Sequence, residues 1–181
     1  MYLNKTFYAL ISICAIVCFL NYLKFSSYKK QPILLSDLAL NNASLTLNQV
    51  NNLNYNYPNL TSNSIPMETL IARYYLKYED YDSAIKFAKK GIQANPYLAY
   101  TYYLTSRVYI DQNNLQSSLK YLEKALDINP KYAEAFNNIG NAKKKLSDID
   151  SAIESYEKAI EINPEYVDAL CNLGICLVSQ K

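Results

Sequence analysis

The sequence predicts an all-α fold in which antiparallel helix pairs stack side by side, preceded by an apolar N-terminal helix. Three observations carry this. Asn-Pro recurs at Asn95-Pro96, Asn129-Pro130 and Asn163-Pro164, a constant spacing of 34 residues. Small residues recur in the same register between those marks. Glycine and proline are scarce, 3 and 6 in 181 residues, which suits long helices joined by short turns better than a many-stranded sheet.

Taken from the N-terminus, Phe7 to Leu23 reads FYALISICAIVCFLNYL without a formal charge, with Lys5 before it and Lys24, Lys29 and Lys30 after it. As a helix it extends roughly 25 Å at 1.5 Å per residue, slightly short of a ~30 Å hydrocarbon core. Tyr2, Tyr8, Tyr22 and Tyr28 lie near its ends, as in an interfacial aromatic belt. A cleaved secretory signal needs small residues before its cleavage site, and Phe25-Ser26-Ser27 serves poorly. The expectation is a retained transmembrane helix, with residues 1–30 as anchor and flanks and residues 7–23 in the membrane. One lysine before the run against three after it places the repeats of this single-pass protein on the cytoplasmic side.

Residues 31–64 change character. Asparagine crowds positions 41, 42, 48, 51, 52, 54, 56 and 59, and Pro58 and Pro66 close the stretch. Two short amphipathic helices fit Ile33–Leu40 and Ala43–Leu53, and the remainder reads as a linker.

From Ile65 onward the periodic columns take over. Ala72, Ser106, Gly140 and Gly174 form one, Ala84, Ser118 and Ala152 a second, and Gly91, Ala125 and Ala159 a third. Two helices approach closely only where side chains are small, so these columns mark helix crossings. Tyr75, Tyr109, Phe136 and Tyr156 then fill the space around them. Asp80, Asn114 and Asp148 precede the second helix of each unit, where a short polar side chain caps unpaired N–H groups. Pro96, Pro130 and Pro164 cannot continue the preceding helix and turn the chain. The units read as 65–98, 99–132 and 133–166, with the first helix of a fourth, incomplete unit over 167–181. A single helix pair cannot bury both faces, so neighbours share a core.

This pattern resembles the tetratricopeptide repeat family, best in Ala133-Glu-Ala-Phe-Asn-Asn-Ile-Gly140 continuing through Ala152, Tyr156 and Ala159 to Pro164. The unit over 99–132 matches well apart from Ser106 and Ser118, and the unit over 65–98 is degenerate at Glu68 and Ala88. The resemblance implies a right-handed superhelix of helix pairs, a tetratricopeptide solenoid, whose concave face is lined by the first helix of each unit. It also implies a protein-binding scaffold that receives a peptide or partner protein there and supports complex assembly. The groove residues it points to are Arg73, Tyr103, Arg107, Asn137, Asn138, Asn141, Lys144 and Asn172, with Cys171 beside them. Asn138 and Asn172 share a column, as in the asparagine ladder by which some members hold a peptide backbone. An amide donates and accepts at once, which suits backbone recognition. The family's chaperone-tail clamp is disfavoured, because its basic and asparagine columns here hold Thr69 or Tyr103, Leu104, and Glu134 or Asp168.

Composition narrows the chemistry. Histidine is absent, which removes the commonest general base and metal ligand. Cys14, Cys18, Cys171 and Cys176 form no Cys-x-x-Cys, and residues 171 and 176 point about 140° apart on one helix, so neither a zinc site nor a disulfide is expected. No nucleophile-base pair or phosphate loop is present, so no catalytic residue, cofactor or metal is assigned. A net charge of +2 gives no footprint for nucleic acid. Tyr97, Tyr100, Tyr102, Tyr103 and Tyr109 stand at helical spacing and read as aromatic packing. Leu170, Leu173 and Leu177 lack a following helix to cover them, the mark of a fragment or else a surface covered by a partner, by self-association with a second copy or by the membrane. Two further readings stay open: a repeat region appended to a larger membrane enzyme such as a glycan-transfer protein, and a photosystem-assembly factor.

Overall fold

The computed structural model describes residues 46–51 and 65–179, which fall in two separate units of the chain, one ending at Tyr57 and one beginning at Pro58. In the first, α1 (Leu47–Asn51) is a single short turn of helix. Gln49 Oε1 accepts from the Thr46 backbone N–H, and the Gln49 N–H returns a bond to Thr46 Oγ1. This reciprocal cap satisfies two donors at its start.

The second unit is entirely helical: α2 (Met67–Lys77), α3 (Tyr81–Ala94), α4 (Ala99–Asp111), α5 (Leu115–Ile128), α6 (Ala133–Lys145), α7 (Ile149–Ile162) and α8 (Val167–Ser179). The pairs α2/α3, α4/α5 and α6/α7 pack most extensively, and α8 packs on α7. Each pair is joined by the same three-residue device. Glu79, Asn113 and Ser147 adopt left-handed backbone at φ 59°, 57° and 63°. The Glu79 N–H then reaches Leu76 O and the Asp80 N–H reaches Tyr75 O, closing a helix end whose carbonyls would otherwise stay unpaired. Asp80, Asn114 and Asp148 finish the turn by accepting from the N–H of Ser83, Ser117 and Ser151. One residue thus ends the first helix through its backbone and starts the second through its side chain. Asn95, Asn129 and Asn163 repeat a second device between pairs. Each is extended, and its Oδ1 accepts from the N–H two residues on, across the proline.

Asp148 also takes a bond from Lys143 Nζ at 3.2 Å. Bonds from Ser151 first, and Lys143 second, hold its carboxyl below the ordinary 3.8. A depressed carboxyl stabilises the fold above its unfolded pKa and loses that contribution as pH falls. Urea melts carried down through roughly pH 4 to pH 2 should show wild type losing more stability than Asp148→Asn, which keeps the cap acceptor without the charge. Equal losses would remove Asp148 from the acid response.

The small columns are where the helices meet. Ala72, Ala84, Ser106, Ser118, Gly140 and Ala152 are all buried, while Pro96, Pro130 and Pro164 stand exposed in the turns. A Cβ on Gly140 would lie 2.5–2.8 Å from ring carbons of Tyr156, which is itself fully buried. Tyr156 packs with Ala152 and Cys176, and Ile149, Ile153 and Leu173 close over them. Tyr75 stacks on Phe87 at 5.3 Å and Tyr109 on Tyr121 at 5.4 Å, the same contact one unit apart. Gly174 differs from Gly140, with nothing within 4 Å of a Cβ there, and Leu170, Ile175, Leu177 and Val178 on the same helix are exposed.

One expectation needs correction. The run at 7–23 lies outside the described residues, as do residues 1–45 as a whole, and the single-pass membrane placement does not stand. Among the described residues no helix is long and apolar enough to cross a membrane. The longest have 14 residues, about 21 Å at 1.5 Å each against a ~30 Å core. Their apolar stripes face neighbouring helices rather than all round.

Candidate functional site

The first helices α2, α4, α6 and α8 touch one another from unit to unit, and no comparable contact joins the second helices. A layer whose members converge lies on the inside of the curve, so the first helices line the concave side. Side chains tie this layer together. The Thr69 and Thr101 hydroxyls pair at 3.0 Å between α2 and α4. Lys145 Nζ donates to Ile110 O at the C-terminal end of α4, where a cation meets the negative end of the helix dipole. Asn172 Nδ2 donates to Asn137 Oδ1 at 3.1 Å between α8 and α6, and Asn137 Nδ2 faces the Tyr166 hydroxyl at 3.5 Å.

Between α4 and α6 this side opens into a polar recess of about 200 Å³ lined by Arg107, Ile110, Asp111, Asn138 and Asn141. The Tyr156 hydroxyl rises from the core and donates to Asn141 Oδ1 at 2.9 Å, fixing that amide at the recess wall. Asn138 is only 8% exposed, and its Nδ2 is buried without a hydrogen-bond acceptor. Its amide lies near enough to Tyr103 to favour the phenolate, yet not at bonding geometry. An unpaired buried donor costs free energy until an acceptor arrives. A larger recess of about 460 Å³, lined by Pro130, Lys131, Phe136, Lys158, Glu161 and Ile162, lies at the turn after α5 and contains none of the polar first-helix residues.

Beside the polar recess stands a shelf of tyrosines. Tyr103 lies 5.2 Å from Tyr132 and 6.3 Å from Tyr100, both tilted. Burial is the main cause that raises the phenol pKa of Tyr103, Tyr132 and Tyr166, the last to about 12, and Glu134 adds to all three. The phenols are therefore neutral at physiological pH.

A tetratricopeptide repeat family model matches residues 133–166, which hold α6 and α7. These helix pairs are tetratricopeptide repeats. A TPR repeat model covers residues 107–147 and another tetratricopeptide repeat model residues 155–181. No curated protein sequence matches the chain significantly. Among solved structures, MamA is similar at 25% identity and TM-score 0.58, over 62% of this chain and 66% of that one, so the chain spans just under two thirds of MamA. The first TPR of Spaghetti (RPAP3), bound to an HSP90 peptide, is similar at 23% identity and TM-score 0.59, over 62% and 90%. The second TPR domain of human RPAP3, in complex with an HSP70 peptide, gives 21% and 0.57, over 60% and 91%. At these last two identities the likeness is one of fold.

Within the tetratricopeptide repeats, the eight residues expected in the groove divide into groups. Arg107, Asn138 and Asn141 share the recess. Tyr103 adjoins it through Asn138, and Asn137 and Asn172 bond to each other. Arg73 and Lys144 are half-buried on α2 and α6 and do not line it. Asn137 and Asn138 are 4% and 8% exposed rather than open to solvent, Asn137 bonded to Asn172 of the following helix α8 and Asn138 set beside α4 of the preceding repeat. Sequence reasoning did not pick out Asp111, which lines the recess, or Tyr132 and Tyr166, which lie against Tyr103 and Asn137, with Glu134 close by. The available signal was register, since Tyr132 and Tyr166 stand 34 residues apart, as do Glu134 and Asp168.

Proposed function

We propose that this chain is a non-catalytic scaffold whose first-helix face binds an extended peptide or partner segment and so supports complex assembly. Its repeats run over 65–98, 99–132 and 133–166, with a fourth opened at residue 167. Arg73, Tyr103, Arg107, Asn137, Asn138, Asn141, Lys144 and Asn172 form the contact face. The observation that carries the reading is Asn138, whose Nδ2 is buried and lacks an acceptor beside a recess lined by two more groove residues. A peptide carbonyl supplies what that donor lacks. Peptide complexes of RPAP3 repeats with the same fold add support, since an HSP90 and an HSP70 peptide are bound in those proteins.

The test is selection of a random linear peptide library on the full chain, followed by affinity measurement with the recovered peptides. Arg73→Glu combined with Arg107→Glu is expected to weaken binding at least tenfold, through loss of about 1.4 kcal/mol or more of polar contact energy. Undiminished binding would rule out this face.

A further inference from the structure

The shelf next to the recess has a chemistry of its own. Tyr100 and Tyr103 come from α4, Tyr132 from the turn before α6 and Tyr166 from the turn before α8, so two successive repeats supply one cluster of rings. Tyr103 is central, at 5.2 Å from Tyr132 and 6.3 Å from Tyr100, and all four tyrosines are half-buried, so each keeps part of its surface accessible. Tyr166 is held by its bond from Asn137 Nδ2. Glu134 and Asp168 stand exposed at the rim, one repeat apart, and neither makes an ion pair among the described residues. Glu134 acts electrostatically on Tyr103, Tyr132 and Tyr166, and Asp168 on Tyr166, so both carboxylates lie within electrostatic reach of the cluster. Arg107 lines the recess with Asp111, and it also acts electrostatically on Tyr103, ahead of Glu134, so one cation already borders the recess side of the cluster.

We propose that Tyr100, Tyr103, Tyr132 and Tyr166, rimmed by Glu134 and Asp168, receive a lysine or arginine side chain of the peptide whose backbone Asn138 engages. A cation over neutral aromatic faces gains quadrupole attraction, and the two carboxylates add direct charge pairing. The unpaired Asn138 amide at the edge of Tyr103 marks where the adjoining backbone lies. A carboxylate-rich tail is excluded from this position by like charge. Glu134 and Asp168 also sit in the first turns of α6 and α8, where acids favour the helix dipole. That role is separable, because it affects melting temperature and not peptide preference.

This inference rests on the groove reading, and one selection separates their failures. The full chain and the Glu134→Gln/Asp168→Asn variant are each screened against the same random linear library. Recovered peptides are remade with norleucine in place of the basic residue. The expected result is a fixed lysine or arginine in peptides selected by wild type. Norleucine should weaken their binding about tenfold, and the variant should show little such difference. Peptides that bind, and are lost with Arg107→Glu, but carry no basic residue or an acidic one there overturn the cation site and leave the groove standing. A basic preference unchanged in the variant overturns it too. Recovery of no peptide at all overturns both.

Discussion

Replacing Tyr156 with alanine is expected to destabilise the domain by about 3–5 kcal/mol, the range for emptying a fully buried aromatic site. The ring has no exposed surface, lies directly over Gly140 and sends its hydroxyl to Asn141 at 2.9 Å. Gly140→Ala tests the same contact from the other side. Its methyl would stand 2.5–2.8 Å from the ring, and the ring has no free space to retreat into. Overpacking of this kind costs about 1–3 kcal/mol against roughly 1 kcal/mol gained in helix propensity. In the Tyr156→Ala background the clash is gone, so Gly140→Ala should become stabilising. Gly174→Ala, where nothing lies within 4 Å, should stabilise wild type by up to about 1 kcal/mol. Denaturant melts of the four proteins of the cycle decide the matter. A Gly140→Ala cost that is the same with and without the ring would show that the two residues do not set each other's packing.

Arg107→Glu combined with Asn138→Ala is expected to weaken selected peptides about a hundredfold, from two losses of about 1.4 kcal/mol each. Fold stability should hold or rise. Arg107 is exposed, and its replacement touches no core contact. Asn138 carries a buried donor without an acceptor, so removing it relieves the free protein while depriving the bound peptide. Opposite signs for stability and affinity are the signature of a residue kept for a ligand. Anisotropy titrations and thermal melts on the same samples read both. A variant that loses stability and keeps affinity would make Asn138 an ordinary packing residue.

How far the sequence revealed these features depended on their range. The caps at Asp80, Asn114 and Asp148 and the turns at Asn95, Asn129 and Asn163 are local, settled within a few residues, and their chemistry was visible in the columns. The helix pairs were equally visible, because small residues 34 apart have one simple use. The burial of Asn137 and Asn138 was not. It depends on how far each repeat rotates against the next, and rotation leaves no mark in a list of residue types. The same holds for the tyrosine shelf, where Tyr132 and Tyr166 sit in turns and gain meaning only when α4, α6 and α8 converge. At the other end of the scale, apolar character at 7–23 suggested a membrane helix, and nothing among the described residues spans one.

Neighbouring repeats are joined along the inner layer by hydrogen bonds such as Thr69–Thr101 and Asn172–Asn137, while the outer helices have no comparable contact. That asymmetry makes the array mechanically directional, like a spring hinged on one side. Bending that spreads the outer helices breaks little, whereas bending that pulls the inner ones apart must break these ties. Pulled from its two ends, such a body straightens by drawing its inner edge open, so tension along the chain would release whatever that edge holds before any helix unravels.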